Sequence, residues 1–339
     1  MRIMEVERLT EADEFQKVGN AWNELLISSR QNNIFLTHQW FSSWWEWFSQ
    51  GKSLEVLLLK NRKGRLIGAA PLMRDGERLR FLASEKVSDY CDFVIRKGKE
   101  KEFFIHFLDL ISLRYPRVRT IELNNIKQSS PTLVLLPEIA ASHQFSCASW
   151  EKEVTLVASL PPSYEDFLSL LSRKSRHELR RKLRRMEELE GVKFVKVTHP
   201  KEMQAATKIF IDLHRRSGPS KESFWKSPHM EDFFLEVVLQ FSKKGWVELL
   251  FLRHKEEIMA SLLSFLYEDS ISFYNVAFNR EYARYSPGLY LFHECLKQAI
   301  LERRKTVDFL RGREKYKYYF GAKEDKIFNL TLTPGVLKE

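Results

Sequence analysis

From Ser272 the chain runs Ser272-Phe-Tyr-Asn-Val-Ala-Phe278, a loop to Gly288, an amphipathic segment to about Arg304, then Thr306-Val-Asp-Phe-Leu-Arg-Gly312. This reads as strand, turn, helix, strand. Ser286 stands where an N-cap is needed, Pro287 takes the first helical position and Gly288 follows it. A helix that begins this way turns backbone N–H groups and the positive end of its dipole toward the mouth between two strands. That arrangement suits a phosphate or pyrophosphate group.

The segment is the end of a longer order of elements that occurs twice. Thr10 to Ser29 has helical spacing through Phe15, Val18, Trp22, Leu25 and Leu26, and a second helix follows Thr37. Leu54 to Leu59 and Leu66 to Met73 form a hairpin, Arg78 to Leu82 a strand, Phe103 to Arg114 a helix and Thr120 to Leu123 a strand. Later, Ala205 to Ser217 and Phe233 to Lys243 are helical. Val247 to Leu252 pairs with Ile258 to Phe265, and the strand, helix, strand from Ile271 follows. Two copies of one mixed α/β unit are expected, with a boundary between Trp150 and Pro162 and domains of 1–155 and 156–339. A chain of 339 residues is long enough for two such cores.

Hydrophobic residues make up 44% and charged residues 29%, a globular balance, and no run approaches the roughly 18 apolar residues of a membrane span. The start, Met1-Arg-Ile-Met-Glu-Val-Glu-Arg-Leu9, has charges where a secretory leader needs its apolar centre, so a cytoplasmic protein is expected. Cys91, Cys147 and Cys295 are too scattered for a disulfide framework or a metal site and read as core thiols.

The basicity is local. Between Arg173 and Arg185 lie eight basic residues and one acid, so +7 of the chain's formal +10 falls in this one segment. Ser163 with Asp166 and Ser175 with Glu178 are both capping-box patterns, which predicts two helices meeting near Ser172, the second being a basic helix over 173–188. Leu179, Leu183 and Met186 form its narrow apolar stripe. Two readings stand side by side: a solvated face on a connecting helix, or a set of guanidinium forks, Arg180 and Arg181 among them, that receives phosphate.

Tyr285-Ser-Pro-Gly288, Asp308-Phe-Leu-Arg-Gly312, Tyr316-Lys317 and Phe320-Gly321, in this order around the helix, resemble the GNAT superfamily of acyltransferases. Phe35-Leu36, Trp40, Trp44-Trp45 and Ser88-Asp89-Tyr90 are similar to the branch that holds CelD-type proteins and the Fem-type aminoacyl transferases, so the resemblance spans most of the chain. It implies two tandem GNAT-like domains, the N-terminal one degenerate and shaping the acceptor cleft. It also implies acetyl-CoA or another acyl-CoA as co-substrate, its pyrophosphate at the turn Arg284 to Gly288 with Ser286 and Gly288 presenting N–H groups and Arg280 or Arg284 as countercharge. The strand around Tyr274 to Ala277 would align the pantetheine, Lys317 would bind phosphate, and Tyr316 or Tyr319 would protonate the departing thiolate.

The acceptor implied is an amine or hydroxyl on a small or glycan-linked molecule, as in polysaccharide or cell-envelope biosynthesis. Here Arg284 is followed by Pro287 and Gly288 rather than by two closely spaced glycines. A Fem-like transferase using aminoacyl-tRNA, and a catalytically silent module that binds an anionic ligand, therefore stay open as alternatives. In the former the basic helix would contact tRNA.

Acyl transfer requires a base, and Asp308 at a strand end or Glu314 just beyond it supplies the carboxylate. Asp308 reads equally as a turn cap, and Tyr316 and Tyr319 read also as packing residues. Asp89 and Asp92, flanking Tyr90, are expected at the interdomain cleft, with Asp89 and Tyr90 as substrate-binding residues. Trp40, Trp44, Trp45 and Trp47 at helical spacing are core. No His pair has metal-ligand spacing and there is no Gly-x-Ser-x-Gly elbow, which disfavours metal and serine hydrolysis.

Overall fold

A computed structural model of the chain describes residues 5–83 and 86–335. The start on which the absence of a leader was read lies in part outside the described residues, at 1–4. The chain divides into two compact units, one of residues 1–153 with 326–339 and the other of 154–325. The sequence reading kept everything after 156 in the second unit, whereas the stretch from Lys326 groups with the first.

The first unit runs β1 (Glu5–Leu9), α1 (Ala12–Lys17), α2 (Gly19–Ile27), α3 (His38–Phe48), β2 (Ser53–Lys60), β3 (Leu66–Asp75), β4 (Arg78–Phe81), β5 (Val94–Ile95), α4 (Glu100–Arg114), β6 (Thr120–Lys127) and α5 (Pro131–Ser142), and then enters β7 (Phe145–Ser159). Its strands lie in the order β1-β2-β3-β4-β6, with β5 against β3. β4 and β6 are parallel over Arg78↔Thr120 to Arg80↔Glu122, while the β2–β3 hairpin is antiparallel. Thr37 caps α3 by accepting from the Trp40 N–H; of the tryptophans expected in the core Trp40 and Trp44 are buried and Trp45 and Trp47 half-buried, Trp40 donating to the Ser88 hydroxyl and Trp22, on α2 and also fully buried, to the Leu36 carbonyl. α4 approaches β3 closely because Gly68 has no side chain. A Cβ there would stand 2.2 Å from the Phe103 ring.

The second unit takes up the end of β7 and continues with α6 (Tyr164–Leu170), α7 (Arg173–Glu187), β8 (Val192–Val197), α8 (Pro200–Arg216), α9 (Pro219–Trp225), α10 (Met230–Ser242), β9 (Val247–His254), β10 (Glu257–Tyr267), β11 (Ser270–Phe278), α11 (Pro287–Leu301), β12 (Thr306–Arg311) and α12 (Lys315–Tyr319), and the chain then enters β13 (Lys323–Pro334), which from Lys326 belongs to the first unit. Its strand order is β7-β12-β11-β10-β9-β8. Only β11 and β12 are parallel, over Ser270↔Thr306 to Ser272↔Asp308. The doubled order of elements is therefore real: β1-α2-α3-β2-β3-β4-α4-β6 matches β8-α8-α10-β9-β10-β11-α11-β12, down to the short parallel pair at the same step.

The repeats exchange their last strands. β7 follows α5 in the chain, but its end pairs with β12, Val157 opposite Asp308 and Ala158 opposite Val307. β13 follows α12, but it pairs with β6, from Ile327 opposite Lys127 to Leu332 opposite Ile121. Among the described residues no helix is long and apolar enough to cross a membrane.

Sequence periodicity missed β1, β5, α5, β7, β8, α9, α12 and β13. β1 and β8 are short and half exposed, and α5 is apolar around much of its circumference with prolines at 131 and 137, which hides its helical period. β7 is exposed and mostly polar through its middle, Ala148 to Glu153, and so read as a linker.

Candidate functional site

β11 and β12 part beyond Ser272 and Asp308, and the site is the gap this opens. β12 turns away because it bulges between Asp308 and Arg311 to meet β7, with Leu310 in the left-handed region at φ 58. Two side chains hold that bulge. Asp308 Oδ1 accepts from the Leu310 N–H at 2.8 Å. Lys317, fully buried, donates its ammonium to the carbonyls of Leu310 (3.3 Å), Arg311 (2.5 Å) and Gly312 (3.2 Å), and pairs with Glu314 at 2.9 Å.

These contacts change the reading of two expected site residues. Lys317, expected to bind phosphate, has three donors directed at three carbonyls and a carboxylate, and it works here as the tie that shapes β12. Asp308, expected as cap or base, is seen in the cap geometry. Glu314 lies over Gly312, is about half exposed and adjoins Lys315 in sequence.

α11 begins inside the gap. Ser286 is its N-cap by position, but its φ of 55 and ψ of 50 put it in the left-handed region, and its hydroxyl makes no capping bond. Its carbonyl accepts instead from Leu289 and Tyr290, at 3.0 and 3.2 Å. Pro287 has no N–H, and the Gly288 N–H has no partner among the described residues. Gly288 lets the helix start press against β11, since a Cβ would lie 3.3 Å from Val276 Cγ2. By contrast α4, the matching helix of the first unit, carries its own acids Glu100 and Glu102 in its first turn, with Glu100 buried and paired to Arg30 at 3.0 Å. Carboxylates already stand there.

The result is a pocket of about 410 Å³ lined on one side by Ser286 to Leu289, on another by Val276 and Phe278, and closed by Lys182, Lys315, Tyr316 and Tyr319. Tyr316 stacks on Phe292 with ring centroids 5.1 Å apart. Burial, then the nearby Glu314 charge, pushes the Tyr316 phenol well above its ordinary range, so it keeps its proton. α7 packs along α11 and α12, which brings Lys182 to the rim.

Of the other expected residues, Ser286, Gly288, Tyr316 and Tyr319 meet in this pocket. Arg280 does not line it: its Nε donates to the Ser217 carbonyl at 3.2 Å. Arg284 is exposed beside it and bonds the Tyr285 hydroxyl at 2.7 Å, over the ring of that residue. Arg181 forms a two-point pair with Glu178 within α7, and Arg180 is exposed. α7 is capped by Ser172, whose Oγ accepts from the Ser175 N–H at 3.1 Å, so Ser175 is not the cap the sequence pattern indicated. Asp89 and Tyr90 belong to the first unit and are buried, Tyr90 beneath Lys127 at 3.9 Å. Asp92 is an internal anchor that accepts from Ser130, Thr132 and the Phe93 N–H, its carboxyl raised by burial to about 6.

Sequence reasoning passed over Lys182, Lys315 and Lys221. Lys182 is hidden among arginines, although its place next to Leu183 puts it at the edge of the buried stripe. Lys221 on α9 donates to the Val276 carbonyl, behind the pocket wall, and burial lowers its ammonium to about 8 against the pull of Glu314. Its charge also reaches His214, which accepts from Trp225 Nε1 at 2.9 Å and is held at about 3 by burial and then by the Lys221 charge.

Residues 173–318 match the family described as acetyltransferase (GNAT) domain, a segment that contains every residue lining the pocket except Tyr319. No curated protein matches the chain. Among solved structures, FemX is similar over 96% of this chain and 96% of its own at 13% identity and a TM-score of 0.66. L-PGS from Bacillus licheniformis is similar over 96% and 93% at 12% identity and 0.56. A tandem GNAT protein from the clavulanic acid biosynthesis pathway is similar over 97% and 98% at 12% identity and 0.52. The chain has the GNAT fold, built twice in tandem as two GNAT-like domains.

Proposed function

We propose that the pocket of the second unit holds the pyrophosphate and pantetheine of an acyl-CoA, acetyl-CoA being the simplest, and that the protein transfers the acyl group to an amine or hydroxyl of a small or glycan-linked acceptor. The observation that carries the reading is the unpartnered Gly288 N–H at the start of α11, set between parting strands with Lys182 and Lys315 beside it. The acceptor's lone pair attacks the thioester carbonyl, the new C–N or C–O bond forms, the C–S bond breaks, and the thiolate takes the proton of Tyr316. Asp308 is engaged on Leu310 and Glu314 on Lys317; we assign the base role to Glu314, the more exposed of the two, which takes the proton that the acceptor loses. We place the reaction in the cytoplasm, where acyl-CoA is available, and the acceptor in envelope or polysaccharide synthesis in keeping with the Fem-type resemblance.

One observation favours a second donor. α7 presents exposed Arg180, Arg184 and Arg185 and packs along the two helices that border the pocket, a surface suited to the backbone of an aminoacyl-tRNA. Calorimetric titration of acetyl-CoA and of deacylated tRNA at two salt concentrations separates the two. Saturable acetyl-CoA binding that weakens about tenfold in Lys182→Gln/Lys315→Gln supports the acyl-CoA reading. Salt-steep tRNA binding lost in Arg180→Ala/Arg184→Ala, with no acetyl-CoA signal, replaces it, and silence in both leaves a non-catalytic binding module.

A further inference from the structure

We infer that the first unit carries an anion site of its own, formed by four arginines, that takes the phosphate monoester of a small organic molecule. Arg8 on β1, Arg74 at the end of β3, Arg114 at the end of α4 and Arg117 in the loop that follows line one pocket of about 490 Å³, together with Tyr115 and Pro116. No carboxylate lies within ion-pair distance of Arg74, Arg114 or Arg117 among the described residues. Arg114 is explained by the negative end of the α4 dipole and Arg8 by its pair with Glu55, but the convergence of Arg74 and Arg117 on them is not.

The site is built from within. Glu55 on β2 is fully buried and grips Arg8 at two points, both 2.6 Å, while its Oε2 also accepts from the Tyr115 hydroxyl at 2.8 Å. A carboxylate in that position fixes the plane of the Arg8 guanidinium and the tilt of the Tyr115 ring. Its single charge leaves three of the four guanidinium charges uncompensated. Guanidinium forks match the paired oxygens of phosphate, and exposed Pro116 offers an apolar surface for an organic group beside Tyr115, whose ring lies under the Arg8 guanidinium at 5.8 Å. A pocket of this volume is in the range that accepts a small-molecule ligand. Its concavity favours such a ligand over a nucleic-acid backbone.

The test is calorimetric titration of the full chain with phenyl phosphate and with inorganic phosphate. We expect saturable binding of phenyl phosphate, tighter than that of inorganic phosphate, and at least tenfold weaker in Arg74→Gln/Arg117→Gln. Both side chains are exposed, Arg74 donating to the Gly76 carbonyl at 3.0 Å, and a thermal melt of the variant checks that it folds. Lys182→Gln/Lys315→Gln, which alters only the pocket of the second unit, leaves this binding unchanged whatever becomes of the transferase reading. Absence of saturable binding, equal binding in the arginine variant, or binding of a single-stranded oligonucleotide in place of phenyl phosphate overturns the inference.

Discussion

The Lys317 ammonium sits 2.5 Å from the Arg311 carbonyl oxygen, inside a ring of three main-chain carbonyls that share it as donor. Replacing it with methionine leaves those carbonyls without their shared donor in a buried place, and should cost about 2–4 kcal/mol of stability. Denaturant unfolding of Lys317→Met measures this. A variant of unchanged stability that has lost only donor affinity would return Lys317 to the phosphate-binding role implied by family resemblance.

Gly288 limits how much can stand between α11 and β11. A valine there brings carbon onto Val276, whose Cγ2 is already 3.3 Å from the Cβ position, and fills the mouth. Donor affinity should fall about tenfold or more, while the melting temperature moves by only about 3 °C, because the helix start is at the pocket rather than in the core. Parallel titration and melting of Gly288→Val distinguish this from general destabilisation.

Lys221 makes stability depend on alkaline pH in a defined direction. Its ammonium is lowered in the folded protein to about 8 from an ordinary 10.5, so between these values the unfolded chain binds more protons than the folded one. The burial penalty on the charged amine is fully present below pH 8 and is relieved as pH rises toward 10.5. Relative to Lys221→Met, the wild type should therefore gain about 2–3 kcal/mol across that window, read from urea midpoints at several pH values. A flat difference would mean that the amine is solvated.

In the first unit the test of packing is Gly68. An added methyl must displace the Phe103 ring, which packs on Phe93 at 5.4 Å and Phe107 at 6.1 Å, and Gly68→Ala should cost about 3 kcal/mol. Adding Phe103→Leu to that variant should recover part of the loss, an outcome that chemical denaturation can resolve.

The helices and hairpins of both units were readable because each carries an apolar stripe or an alternation: Phe15, Trp22 and Leu26 in one place, Val247 to Phe265 in another. So were Pro287, Gly288 and Tyr316, since backbone chemistry at a helix start leaves a mark in the residue types. The lysines were not. Lys182, Lys221 and Lys315 acquire meaning only from what the fold sets opposite them, and a solvated lysine has the same letters around it. Lys317 shows the reverse case: the motif pointed to a ligand, whereas the bulge at Leu310 set three carbonyls around its amine. Strand exchange was beyond reach for the same reason, because partner choice along an edge is decided by residues about two hundred positions away.

That exchange has a consequence in time. β6 is complete by Lys127, but the strand that covers it begins pairing at Ile327, about 200 residues later in synthesis. At ribosomal speeds of about 5–20 residues per second, the edge carrying Ile121, Leu123 and Ile126 waits for roughly 10–40 s before its neighbour exists. During that interval the nascent first repeat is an open sheet in search of a strand, and whatever shelters it on the ribosome helps decide how much protein reaches the folded state.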